Sequence, residues 1–170
     1  MSDIHSENSE APCEDIRALY SDLARNPGKE FGWGKGNENA RALGYEARWL
    51  ESLSEPVCES AAAVGNPFTL GLIRPGEVVV DLGCGAGADL CVSALLVGAA
   101  GHVIGIDLTP AMVEKARKTP PFPASAMWKH GSPESRQQVS RIPVPMSSFP
   151  MAPSTFRRIN CACSRRRFGF

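Results

Sequence analysis

Apolar positions fall into two regimes along the 170-residue chain. Up to about residue 73 they recur at helical spacing in short runs between polar breaks. From residue 78 onward they condense into β-branched stretches that alternate with helical ones. Ile16, Leu19, Tyr20 and Leu23 share one face of a helix predicted over residues 14–24, which Asn26-Pro27-Gly28 ends. A glycine-rich loop at 31–37 leads to predicted helices at 38–42 and 45–53, a helical turn at 59–64 closed by Gly65-Asn66-Pro67, and a short helix at 68–73. Val78-Val79-Val80 reads as a buried strand, because an uninterrupted β-branched run has no solvent face. A helix at 90–97, a strand at 102–107 and a helix at 111–118 follow, the last opened by Thr109 as cap and Pro110 at its first position. Strand, helix, strand, helix is a parallel βαβ unit with a right-handed crossover.

The junction after the first strand carries the chemistry. Gly83, Gly85 and Gly87 stand at alternate positions, so the backbone can turn sharply and a ligand can approach without meeting a Cβ. The following helix aims its unpaired N–H groups at the same place. Asp107 lies 20 residues beyond Gly87, at the carboxyl end of the neighbouring strand, where a carboxylate can accept both hydroxyls of a ribose. The constellation asks for a nucleoside ligand. Gly83-x-Gly85-x-x-Ala88 formally fits a dinucleotide fingerprint, which keeps an NAD-binding protein as the alternative. Asp81 argues against a pyrophosphate by like-charge repulsion and favours a cationic ligand such as S-adenosylmethionine.

Residues 79–87, Val-Val-Asp-Leu-Gly-Cys-Gly-Ala-Gly, resemble motif I of class I S-adenosylmethionine-dependent methyltransferases, and 103–107 resemble the next motif. Gly65-Asn66-Pro67, Pro75-Gly76-Glu77, Thr109-Pro110-Ala111-Met112 and Lys115-Ala116-Arg117 are similar to the arsenite methyltransferase-like branch, so the resemblance spans about residues 40–118. It implies that Asp81 and the three glycines, with Cys84 between them, hold the methionine part, that Asp89 lies near its amino end, that Asp107 holds the ribose, and that Leu108 and Met112 lie near the adenine. The implied activity is methyl transfer to a small acceptor, with arsenite the branch's own. The branch typically has a cysteine immediately before Gly-Asn-Pro, because soft thiolates suit a soft metalloid. Val64 stands there, with Cys58 six residues earlier; Cys84 reads as a small buried filler and Cys91 as packing on the following helix. No catalytic residue or metal site is assigned.

Charge divides the chain. Residues 1–118 carry 10 Lys and Arg against 17 Asp and Glu, whereas 119–170 carry 8 Lys and Arg against the single acid Glu134, together with 8 of the 14 prolines. Those prolines are too frequent for helices or central strands. A lost nucleotide after codon 118 accounts for the change. Restoring it can turn 119–129 into Asn-Ala-Ala-Leu-Ser-Gly-Leu-Gly-Asn-Val-Glu, the family's approach to its third strand, and 145–156 into a fourth strand. Three triplets are fixed by the residues present: Met127-Trp128 gives Val, Trp128-Lys129 gives Glu, and Met151-Ala152 gives Gly. The alternative is a genuine basic tail for an acidic partner, with Arg165-Arg166-Arg167 as its best feature.

The expected architecture is therefore α/β, a partial Rossmann-like class I methyltransferase fold. It comprises an N-terminal helical extension (1–64), a donor-binding half (65–118) and a non-native, disordered tail (119–170). Without a fourth strand, 78–80 would be an exposed apolar edge, with weak donor binding and little or no turnover. A non-catalytic nucleoside-binding remnant fits such a chain. The longest mostly apolar run, 90–100, is too short to span a bilayer, and the polar start gives no signal peptide, so a cytoplasmic address without membrane or nucleic-acid partners is expected. His5, His102 and His130 lack ligand spacing, Cys161 and Cys163 lack partner histidines, and Tyr20, Phe31, Trp33 and Trp49 are lid candidates if they are not simply packed.

Overall fold

Three valines in succession can be buried only in a strand covered on both faces, and that strand organises the molecule. The computed structural model describes residues 11–118, 126–130 and 156–160, with side chains over 14–118. The elements are α1 (Ala11–Arg25), α2 (Gly36–Ala42), α3 (Ala47–Glu51), α4 (Glu55–Glu59), a 3-10 turn (Pro67–Leu70), β1 (Val78–Leu82), α5 (Ala88–Val97), β2 (His102–Asp107), α6 (Pro110–Lys118), β3 (Ala126–His130) and β4 (Phe156–Asn160). The sheet order is β3-β2-β1-β4, and all pairs are parallel.

The period-2 alternation of β1 divides the core. Val79 packs with Leu90, Val97 and Val103 on one side. Val78 and Val80 pack with Ile104 and Ile106 on the other. Burying each of these side chains contributes about 1.5–3 kcal/mol. The return from α5 to β2 is tight because Gly101 lacks a Cβ, which would strike the Val97 side chain and come within 2.8 Å of the Glu77 carbonyl oxygen. On the amino-terminal side, Leu23 and Ala24 of α1 pack on Ala86 and Met112. Ala40, Tyr45 and Leu50 form a further cluster with Trp49 and Phe68 against it. The helical extension thus lies directly on the glycine turn and α6.

The partial Rossmann-like α/β fold agrees with the sequence, with three corrections. The helical turn expected at 59–64 is replaced by α4, Glu55–Glu59, because Pro56 suits a first turn. The edge expected at 78–80 is not exposed: β4 pairs with β1 from Val78↔Phe156 to Leu82↔Asn160. The proline argument against strands beyond Lys118 also fails locally, since β3 lies between Pro123 and Pro133 and β4 follows Pro153. Five-residue strands fit within these proline-free windows. The remainder of the expected tail, with Cys161, Cys163 and Arg165-Arg166-Arg167, lies outside the described residues, as does His5. Among the described residues, no helix is long and apolar enough to cross a membrane.

Candidate functional site

At the carboxyl end of β1 the chain makes its sharpest change of direction. Gly83, Gly85 and Gly87 have φ of 90°, 51° and 93°, left-handed values that a side chain makes costly. The carbonyl of Ile106 in β2 accepts from the N–H groups of Gly83 (2.7 Å) and Cys84 (3.2 Å), which fastens the turn to the neighbouring strand. Gly87 N–H donates to the Cys84 carbonyl at 2.8 Å, and α5 starts from Gly87.

Over this turn lies an open cavity of about 800 Å³, lined by Gly83, Cys84, Gly85, Asp89, Asp107, Leu108 and Met112 on one side and by Tyr20, Asn37, Tyr45, Cys58 and 60–64 on the other. Its size is ordinary for a small-molecule site, which typically spans roughly 300–1,000 Å³. Of the nine cofactor-site residues expected from the sequence, these seven reach the cavity wall. Asp81 and Gly87 lie behind it.

The acidic groups are treated differently. Asp107 accepts from Gly85 N–H at 2.8 Å through Oδ2 and from Thr109 N–H at 2.7 Å through Oδ1. Each oxygen keeps a lone pair for another donor, so the carboxylate is held in one orientation without being used up. Asp89, in the first turn of α5, is 8% exposed, and one of its oxygens accepts from the Tyr45 hydroxyl at 2.7 Å. Burial raises its pKa to about 6, against the lowering effect of Tyr45. Asp81 is 1% exposed, and among the described residues neither of its oxygens has a hydrogen-bond partner. Burial, then the charges of Asp89 and Asp107, push it well above the usual carboxylate range. A buried acid without partners is costly. An ammonium or sulfonium nearby would relieve that cost, whereas a pyrophosphate would worsen it. The donor set therefore fits a cationic nucleoside.

The sequence reading missed Tyr45. It lies in the short linker between α2 and α3, is 6% exposed, and crosses 44 positions to reach Asp89. Only its place after Gly44, which has a φ of 82°, hints at a special position. Among the lid candidates Tyr20 lines the cavity. Phe31 instead stacks on Trp33 at 5.3 Å and packs near Met112, while Trp49 packs on Phe68 at 5.2 Å. Asn66 explains the Gly-Asn-Pro motif structurally: it accepts from Phe68 N–H at 3.0 Å and donates to the Gly44 carbonyl at 2.9 Å. Val64 lines the cavity and is 67% exposed. Among the described residues, Cys58, Cys84 and Cys91 form no disulfide. Burial pushes Cys58 up and Cys91 to about 12.

Comparison with known proteins finds similarity over the strand and turn region. A family model described as a methyltransferase domain matches residues 73–121. An arsenite methyltransferase of Halobacterium salinarum is 45% identical over 76 residues, covering 45% of this chain and 19% of that protein. The aklanonic acid methyltransferase of a Streptomyces species is 56% identical over 43 residues, covering 25% and 20%. The chain thus spans about a fifth of the length of these relatives. Among solved structures, the arsenic(III) S-adenosylmethionine methyltransferase of Chlamydomonas reinhardtii is 28% identical with a TM-score of 0.39, covering 65% of this chain and 36% of that one. The residues that match the family model, 73–121, contain β1, the glycine turn, α5, β2 and α6. Over residues 73–121 the chain is thus similar to a methyltransferase domain, and arsenite methyltransferases are among the relatives it matches.

Proposed function

We propose that this chain binds S-adenosylmethionine in the cavity over the glycine turn and descends from an enzyme that methylates a small acceptor. The observation that carries the reading is Asp81: a sealed carboxyl without a partner, beside a turn whose other side presents Asp107 with lone pairs to spare. Asp107 would take the ribose hydroxyls. Leu108 and Met112 would flank the adenine. Gly83, Cys84 and Gly85 would admit the methionine chain, with Gly87 shaping the turn behind them; Asp89 would face its ammonium, and Asp81 would act on its positive charge through the wall. When bound, the donor supplies a sulfonium methyl; an acceptor lone pair forms a bond to that carbon as its bond to sulfur breaks. The protein contributes alignment and exclusion of water.

A soft, thiol-seeking acceptor is consistent with the relatives named arsenite methyltransferases and with Cys58 on the cavity wall, although Val64 occupies the position before Gly-Asn-Pro. A second reading is donor binding without turnover, favoured by the change of character after Lys118 and the three fixed triplets that recover a family-like frame. Thermal shift with S-adenosylhomocysteine and with NAD tests the first reading: stabilisation by the former alone is expected, and stabilisation by NAD alone would overturn it. Transfer of a labelled methyl group to arsenite by the purified chain would refute the second.

A further inference from the structure

The donor cavity has a wall that does not come from the strand–turn–helix unit at all. Tyr45 is presented by the linker between α2 and α3, and its ring is held edge-on to Phe68 at 5.8 Å between centroids. Its hydroxyl has two acceptors within reach, Asp89 Oδ1 at 2.7 Å and the Gly65 carbonyl at 3.3 Å. It carries one proton, and the shorter, charge-assisted contact takes it. That contact occupies one oxygen of Asp89 and leaves the second for a ligand. Resting on the donor-binding reading above, we infer that Tyr45 is a positioning residue: it fixes the Asp89 carboxylate so that its second oxygen receives the α-ammonium group of the donor.

The surroundings of Asp89 make this orientation matter. Asp81 faces it from β1, and Asp107, from the end of β2, adds its charge at Asp81. Among the described residues, none of the four ion pairs involves any of these three acids. Among the described residues, the Tyr45 hydroxyl is the side-chain donor to Asp89, and it favours the ionised form that an ammonium requires. Without it, Asp89 would be free to rotate and would hold its proton to higher pH. The amino-terminal helices therefore complete the donor site rather than merely cover it.

Calorimetric titration of the full chain tests this with two probes, S-adenosylhomocysteine and its analogue lacking the α-amino group. The wild type should prefer the amino-bearing ligand, with a preference that grows as pH rises through about 6. Tyr45→Phe keeps the ring packing. It should weaken binding of S-adenosylhomocysteine about tenfold, the scale of one hydrogen bond to a charged group. It should also leave the deaminated analogue within about twofold and move the pH midpoint upward. Asp89→Asn should lose the same preference, and Tyr45→Phe added to it should cost nothing more, so the cycle reads the coupling even if one variant is less stable. Equal weakening of both ligands in Tyr45→Phe, or additive losses in the double variant, would overturn the inference. Failure of the wild type to bind either ligand would overturn the donor reading itself, and the inference with it.

Discussion

The carboxyl ends of β1 and β2 carry the same residue type in opposite circumstances. Asp107 is half-buried and receives two backbone N–H groups. Asp81 is sealed and receives none. Parallel strands that end side by side thus provide one acid fixed by backbone donors and one left bare; on the proposed reading the first would meet the ribose diol and the second a positive charge. The difference arises from neighbours rather than residue type. Asp107 receives one N–H from the loop that follows β2, at Thr109, and one from the glycine turn after β1, at Gly85, whereas Asp81 precedes that turn and is buried.

The contrast can be broken most severely at Asp107. Asp107→Ala should reduce affinity for S-adenosylhomocysteine by roughly 100-fold, the loss of two hydrogen bonds to a charged acceptor at about 1.5 kcal/mol each; a Kd from calorimetry checks this. Asp81→Asn should act in two directions. It should weaken the same ligand but raise the Tm of the ligand-free protein, since a buried acid without partners is replaced by a neutral group. A lowered ligand-free Tm would mean that Asp81 has a partner after all.

Titration sharpens the comparison next. Asp89 has its pKa raised by burial to about 6, so in the ligand-free fold it favours the protonated form. Its stabilising contribution is complete below the unfolded value near 3.8 and is lost as pH rises through about 6. Asp81, also raised, adds in the same direction. Ligand-free Tm should therefore fall between pH 4 and 7, and Asp89→Asn should flatten that slope. Stabilisation by S-adenosylhomocysteine should grow over the same interval. A smaller effect is expected at Gly85, whose φ of 51° and open surroundings leave only backbone strain to a methyl group in the ligand-free protein. Gly85→Ala should cost about 1–2 kcal/mol in urea unfolding. The smallest belongs to the Lys115–Glu59 ion pair at 2.8 Å between α6 and α4. Because Glu59 is exposed, Glu59→Gln should cost under about 1 kcal/mol and leave ligand affinity unchanged.

The strand–turn–helix–strand segment was legible because its signals are local. Val78 to Val80, the alternate glycines and the 20-residue interval to Asp107 each express a period or a turn requirement within a few residues. Of the nine cofactor-site residues named from it, Asp81 and Gly87 proved to lie behind the cavity wall rather than on it, since lining depends on depth as well as sequence position. The amino-terminal side was less legible. Helices of five to seven residues have weak periodicity, and the segment at 59–64 was misplaced by about one turn. Tyr45 carried no readable motif, because its role depends on a residue 44 positions away. The two short strands beyond Lys118 were hidden by prolines that flank them without entering them.

The sequence by itself determined a parallel α/β unit, a glycine turn at its centre and a pair of acids at adjoining strand ends. Alternation and spacing are properties of the chain, and they require no knowledge of what packs where. Only the tertiary structure decided which acid is sealed and which is tethered, that Tyr45 reaches Asp89, and that β4 covers the free side of β1. Burial and partner choice depend on segments far apart in the chain, and those meet only when the helices close over the sheet.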